Sequence, residues 1–170
     1  DGVVRIYDEA RVTRSGTLPP SEASVQIDGF GGMELGWALA VGDFTGDGAD
    51  DLAIGAPSEV ANGKNGVVYV FTGPIAPGVH LVSDAQIQIE APANATDYFG
   101  WTLSAGDLDG DGRDDLVVGD CADVSSTFAL FELGSGRYRV GSLGLASTSF
   151  TGVALAGCAL ATGDLDGDGY

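Results

Sequence analysis

Gly36-Trp37-Ala38-Leu39-Ala40-Val41-Gly42-Asp43-Phe44-Thr45-Gly46-Asp47-Gly48-Ala49-Asp50-Asp51-Leu52-Ala53-Ile54-Gly55-Ala56-Pro57 decides how this chain folds, because it returns twice. Residues 100–121 read GWTLSAGDLDGDGRDDLVVGDC and residues 157–170 read GCALATGDLDGDGY, and the three segments align without a gap. Their first aspartates, Asp43, Asp107 and Asp164, lie 64 and 57 residues apart. Residues 1–7, DGVVRIY, correspond to residues 65–71, NGVVYVF, at the same spacing of 64. Self-similarity at a fixed period marks a repeat architecture, in which each unit buries its apolar faces against its neighbours.

A period near 60 residues has room for about four strands of five or six residues with their turns. In the first full unit, Trp37 to Val41 is a short apolar strand running into the acidic segment, and Asp51 to Gly55 is the strand leaving it. Gly66 to Thr72 is the third strand, closed by Gly73-Pro74, and Gln86 to Glu90 alternates as a half-buried fourth, outer strand. Sheets of four antiparallel strands repeated along a chain are propeller blades. The expected fold is therefore all-β: a partial propeller of under three blades with acidic loops. Residues 1–34 are read as the outer strands of an incomplete blade, 35–97 and 98–149 as two blades, and 150–170 as the first strand and truncated loop of a further one. That register leaves sheet edges open at both ends. It predicts that further blades come from a longer chain or from other copies.

Composition agrees. The chain has 170 residues, 44% of them hydrophobic and 19% charged, so it can bury a core. Its 28 glycines argue against helices, where each costs roughly 1 kcal/mol relative to alanine. A net charge of −18, with a single lysine and a single histidine, excludes a nucleic-acid binder, which needs cations to displace phosphate counterions. It also disfavours anionic membrane surfaces. Val140 to Gly163 is uncharged and long enough to span a bilayer, but its five glycines and its serines and threonines suit two buried strands and a turn better. No membrane insertion is expected.

The acidic segments follow the pattern D-x-D-x-D-G-x-x-D. In the second repeat Asp107, Asp109, Asp111 and Asp115 supply side-chain oxygens at positions one, three, five and nine, and Arg113 supplies a carbonyl at position seven. Gly112 at position six permits the sharp turn. In the first repeat the same positions hold Asp43, Thr45, Asp47, Ala49 and Asp51, with Thr45 a weaker ligand than an acid. The third shows Asp164, Asp166, Asp168 and Tyr170, where the sequence stops. Asp-Gly pairs alone would signify only turns. Alternate acids converging at a repeated spacing suit a hard cation with about six to eight oxygen ligands, and calcium tolerates such irregular geometry better than magnesium. Two to three structural Ca2+ ions are expected. An EF-hand is excluded, because position twelve is Ile54 or Val118, on a strand, where that motif needs glutamate.

These residues resemble the FG-GAP repeat of integrin α-subunit propellers and of many secreted bacterial proteins. Phe99-Gly100 matches its FG and Gly55-Ala56-Pro57 its GAP, while Leu35-Gly36, Ala156-Gly157 and Gly119-Asp120-Cys121 depart from it. The resemblance implies a structural calcium pinning the turn between the two inner strands of a blade. It also implies that the propeller's faces recognise ligands or act as scaffolds. If the GAP of one blade lies beside the FG of the next, Cys121 and Cys158 could form an inter-blade disulfide; the alternative is two buried thiols.

Other signals are weaker. Asn94-Ala95-Thr96 is an N-glycosylation triplet of a kind that arises often by chance. Trp37, Tyr98, Phe99 and Trp101 read as packing between blades rather than as a ligand cage. His80, alone and in an exposed setting, has no nucleophile to serve, so an enzyme is not expected. The sequence thus points to a calcium-stabilised, secreted or cell-surface propeller segment acting in adhesion, surface structure or recognition of a protein or glycan. Its rivals are a non-catalytic propeller appended to a secreted, carbohydrate-active enzyme and a self-assembling structural subunit.

Overall fold

The structure, a computed structural model, describes residues 2–9, 16–58, 66–91, 98–121, 126–140, 146–151 (backbone) and 157–164. Among them are twelve strands and two single turns of 3-10 helix at Pro20–Glu22 and Val82–Asp84. The strands are β1 (Val3–Ile6), β2 (Val25–Asp28), β3 (Leu39–Gly42), β4 (Asp51–Ala56), β5 (Val67–Phe71), β6 (Gly78–Leu81), β7 (Ile87–Glu90), β8 (Thr102–Gly106), β9 (Asp115–Gly119), β10 (Ser126–Phe131), β11 (Gly136–Arg139) and β12 (Ala146–Thr151). They form three sheets, ordered β1-β2-β6, β11-β7-β5-β4-β3 and β12-β10-β9-β8. This is part of a β-propeller.

The middle sheet shows why these residues become strands. β4 and β5 are buried along their whole length, and their alternation divides each strand between two cores. Ala53, Val68 and Val70 face one core, where they meet Leu116, Val118, Phe128 and Leu130 of the third sheet. Leu52, Ile54, Val67, Tyr69 and Phe71 face the other, against Val4, Val25 and Ile27 of the first sheet. A strand buried on both faces reads as a continuous apolar run, which is what VVYVF is.

Antiparallel hairpins link β3 to β4, β4 to β5 and β5 to β7, as four-stranded blades require. The blade of four antiparallel strands is complete in the middle sheet, and one further strand is added at its outer edge. β6 leaves its own repeat and pairs in parallel with β2, the outer strand of the preceding sheet. β11 does the same to β7. Each of these strands hydrogen-bonds the free edge of its neighbour, and such edges are otherwise exposed to wrong pairing. Arg137 and Arg139 of β11 reinforce the second clasp by ion pairs of 3.1 Å each to Glu90, which is buried. Residues 78–81 thus lie in the preceding sheet, and β12 runs from Ala146 to Thr151.

The sheets meet at glycines. A Cβ on Gly55 would fall on the carbonyl oxygen of Gly100, and one on Gly119 would fall on that of Gly157. Gly100 and Gly157 have φ of 87° and 79°, in the left-handed region that glycine occupies without penalty. The GAP end of one blade therefore does lie beside the FG end of the next. There Cys121 and Cys158 are joined in a disulfide, with Cα atoms 4.7 Å apart. The burial expected for the aromatic group holds for Phe99, which is fully buried beside Phe128. It does not hold for Trp37 and Tyr98, which are 50% and 41% exposed and stack with Trp101 at centroid distances of 4.4 and 5.4 Å. Trp37 and Trp101 precede β3 and β8 and so stand outside the sheets.

Candidate metal centres

The acidic segments are the connections between β3 and β4 and between β8 and β9. Each leaves one strand at a glycine and enters the next at a buried aspartate, Asp51 or Asp115. In the first loop Phe44 anchors the turn by inserting fully into the core between the second and third sheets.

In the second loop the carboxylates of Asp107, Asp109 and Asp115 bring oxygens within 4.8 Å of one another. Backbone amides hold them in place. Asp107 accepts from Gly110 (2.8 Å) and Gly112 (2.9 Å), Asp109 from Asp111 (3.1 Å), and Asp115 from Leu108 (2.8 Å). Asp115 is 3% exposed. Its carboxyl is pushed up to about 6, first by burial and then by the charges of Asp109, Asp107 and Asp111, against the Leu108 amide that lowers it. Asp111 stands outside that group of three. One of its oxygens accepts the Arg113 amide at 2.9 Å and the other lies 3.9 Å from the Arg113 guanidinium.

The first loop repeats the scheme. Asp43 accepts from Asp47 (3.0 Å) and Gly48 (2.9 Å), Asp47 from Ala49 (2.9 Å), and Asp51 from both Thr45 (3.1 Å) and Gly73 (2.9 Å). Thr45 stands where the second loop has Asp109. Its Oγ1 is buried without any hydrogen-bond partner, the only such side-chain atom among the described residues. A buried hydroxyl without a partner costs about 1–3 kcal/mol, and an oxygen aimed at a cation would relieve that cost. Of the third loop, Asp164 is described, while Asp166, Asp168 and Tyr170 lie outside the described residues, as does the Asn94 triplet.

Strand–acidic loop–strand units at this spacing, sealed by Phe99-Gly100 against Gly55-Ala56, carry the FG and GAP elements in their proper places. The FG-GAP repeat family matches residues 35–71 and 99–120. The chain belongs to the FG-GAP repeat family. The FG-GAP chain is 39% identical over 132 residues to phosphatidylinositol-glycan-specific phospholipase D of Rattus norvegicus, covering 72% of this chain and 14% of that protein. It is 30% identical to integrin alpha-V of Gallus gallus over 96% of its length and 15% of the integrin's. It is 29% identical to integrin alpha-PS2 of Drosophila melanogaster over 99% of its length and 12% of that chain. The FG-GAP chain thus spans only about an eighth to a seventh of these relatives.

Three acidic residues of the FG-GAP loops went unassigned in the sequence. Asp50 and Asp114 recur at position eight, so the repeat itself carried the signal. Asp114 joins the two loops: its Oδ2 accepts the Asp43 amide at 3.0 Å, and its own amide donates to the Asp43 carbonyl at 3.2 Å. Asp120, in the departing GAP, is buried and accepts the Ser126 amide at 2.6 Å; burial raises its pKa against that hydrogen bond.

Proposed function

We propose that the chain is a calcium-stabilised, non-catalytic propeller segment of a secreted or cell-surface protein, whose faces serve adhesion or the recognition of a protein or glycan. The observation that carries the calcium reading is the convergence of Asp107, Asp109 and Asp115 on one point, with Asp115 buried among like charges. Mutually repelling carboxylates around a buried acid favour a cation. The orphaned Thr45 Oγ1 supports the same reading for the first loop. In the second loop Asp107, Asp109 and Asp115 would hold the ion, with Asp111 and the Arg113 carbonyl as further oxygens. In the first, Asp43, Thr45, Asp47, Asp51 and the Ala49 carbonyl would do so. Asp164, Asp166, Asp168 and Tyr170 complete the set as a third loop. The ion supplies charge neutralisation and ties the two inner strands of a blade together.

The disulfide favours an oxidising compartment, and the stack of exposed Trp37 and Tyr98 on half-buried Trp101 offers a face with apolar bodies and polar tips. Native mass spectrometry in calcium-containing volatile buffer, repeated after chelation, tests the calcium reading. Two or three retained ions are expected, and a bare chain refutes it.

The match to the rat phospholipase D favours a second reading, a propeller module carried by an enzyme whose active site lies elsewhere. Hydrolysis of a phosphatidylinositol-glycan substrate by the full-length natural protein, retained when the loop aspartates are replaced, would select it.

A further inference from the structure

We infer that the two cation loops are not independent: Asp114 of the second loop is a positioning residue for the first cation site, and filling the second loop strengthens binding at the first. This rests on the calcium reading above and goes beyond it.

The first site borrows its framework from the neighbouring blade. The Asp43 side chain, at position one, is fixed by its own loop through the Asp47 and Gly48 amides. Its backbone is fixed from outside, amide and carbonyl both bonded to Asp114. The surrounding residues are shaped for this contact. A Cβ on Gly42 would come within 2.8 Å of the Asp114 carboxylate, and one on Gly46 within 2.5 Å of the Arg113 guanidinium, so both glycines of the first loop make room for residues of the second. Asp114 is half-buried in this seam, and Asp50, its counterpart in the first loop, is exposed.

Asp114 directly precedes Asp115, the buried acid of the second loop, and follows Arg113, whose carbonyl occupies position seven. A cation drawing on positions seven and nine fixes the backbone on either side of Asp114. The carboxylate that grips Asp43 is then held at the geometry the first site needs. Ordering by one ligand that the second no longer has to supply is positive coupling, and it is reciprocal.

The test uses the whole chain, stripped with chelator and titrated with calcium alone while amide resonances are followed by NMR. Gly48 and Gly112 each donate to the first aspartate of their own loop and so report the two sites separately. Asp114→Ala is expected to weaken the Gly48 midpoint by about fivefold or more, the lower end of the range such couplings span. Asp114→Asn keeps an acceptor for the Asp43 amide and is expected to restore most of the loss. Silencing the second loop with Asp109→Asn is expected to weaken the Gly48 midpoint in the same way. An unmoved Gly48 midpoint in Asp114→Ala overturns the inference, as does an Asn variant no better than the Ala variant, which would reduce the effect to charge. If Asp114→Ala does not fold, an unmoved Gly48 midpoint in Asp109→Asn overturns it instead. A wild-type chain in which neither glycine responds to calcium overturns this inference and the calcium reading together; response at both with no coupling overturns this one alone.

Discussion

Gly55 packs against Gly100 across the seam between two blades, so closely that no β-carbon fits between the Gly55 Cα and the Gly100 carbonyl. The obstacle is backbone on both sides and cannot rotate away. Gly55→Ala is therefore expected to destabilise the chain by about 1–3 kcal/mol, the usual cost of overpacking. Gly163→Ala, where a Cβ meets nothing within 4 Å, should stay within about 0.5 kcal/mol of wild type. Urea midpoints of the two variants check this.

Phe99 is the other half of the same motif, fully buried with its ring centroid 5.8 Å from that of Phe128. Phe99→Ala leaves a cavity where the second and third sheets meet and should cost about 3–5 kcal/mol. Tyr98, one residue earlier and 41% exposed, should cost far less when replaced by leucine. Parallel thermal melts separate the two.

The Cys121–Cys158 bridge closes a loop of 37 residues. By loop-closure entropy its removal should cost about 4 kcal/mol. The double variant Cys121→Ser/Cys158→Ser, compared in urea with the oxidised chain, gives the value. A thiol count of zero under denaturing, non-reducing conditions confirms the bond itself.

The acid pushed up to about 6 in the second loop gives a pH signature. Asp115 prefers its neutral form in the folded, cation-free chain, so folding takes up a proton relative to an ordinary carboxyl at 3.8. Its contribution to stability is full below about pH 4 and is lost as pH rises through about 6. In chelator, Tm should fall on the order of 5 °C across that window. With excess calcium the same rise in pH should increase Tm, because ionised carboxylates bind the ion. Asp115→Asn should abolish the first trend and weaken the second, which the other loop carboxylates share, as calorimetry in the two buffers would record.

The order of strands within a blade was legible because each of its signals is local. Leu39–Gly42, Asp51–Ala56, Val67–Phe71 and Ile87–Glu90 all fall within or next to the segments their apolar patterns mark out. β6 and β11 were not legible. GVHL and GRYR are four residues long, mostly exposed, and paired with a strand of another repeat, so no local periodicity announces them. The loop acids could be read from their spacing, which repeats whatever the environment. The hydrogen bond that Asp111 accepts from the Arg113 amide could not, since it depends on which amides a carboxylate meets. The exposure of Trp37 was hidden for a similar reason: the strand was expected to begin at Trp37 and begins at Leu39, leaving the indole beyond the sheet edge.

The clasps formed by β6 and β11 give the array a direction. Each unit closes the rim of the one before it and depends on the one after it to close its own. A length of chain cut at the repeat boundaries therefore carries away its neighbour's lid and leaves its own behind. Duplication of such a unit in a gene adds a rim that only the next copy can cover. Hydrogen exchange along the chain should accordingly show protection falling in steps offset from the repeats, with Ile87–Glu90 losing its protection when Gly136–Arg139 opens.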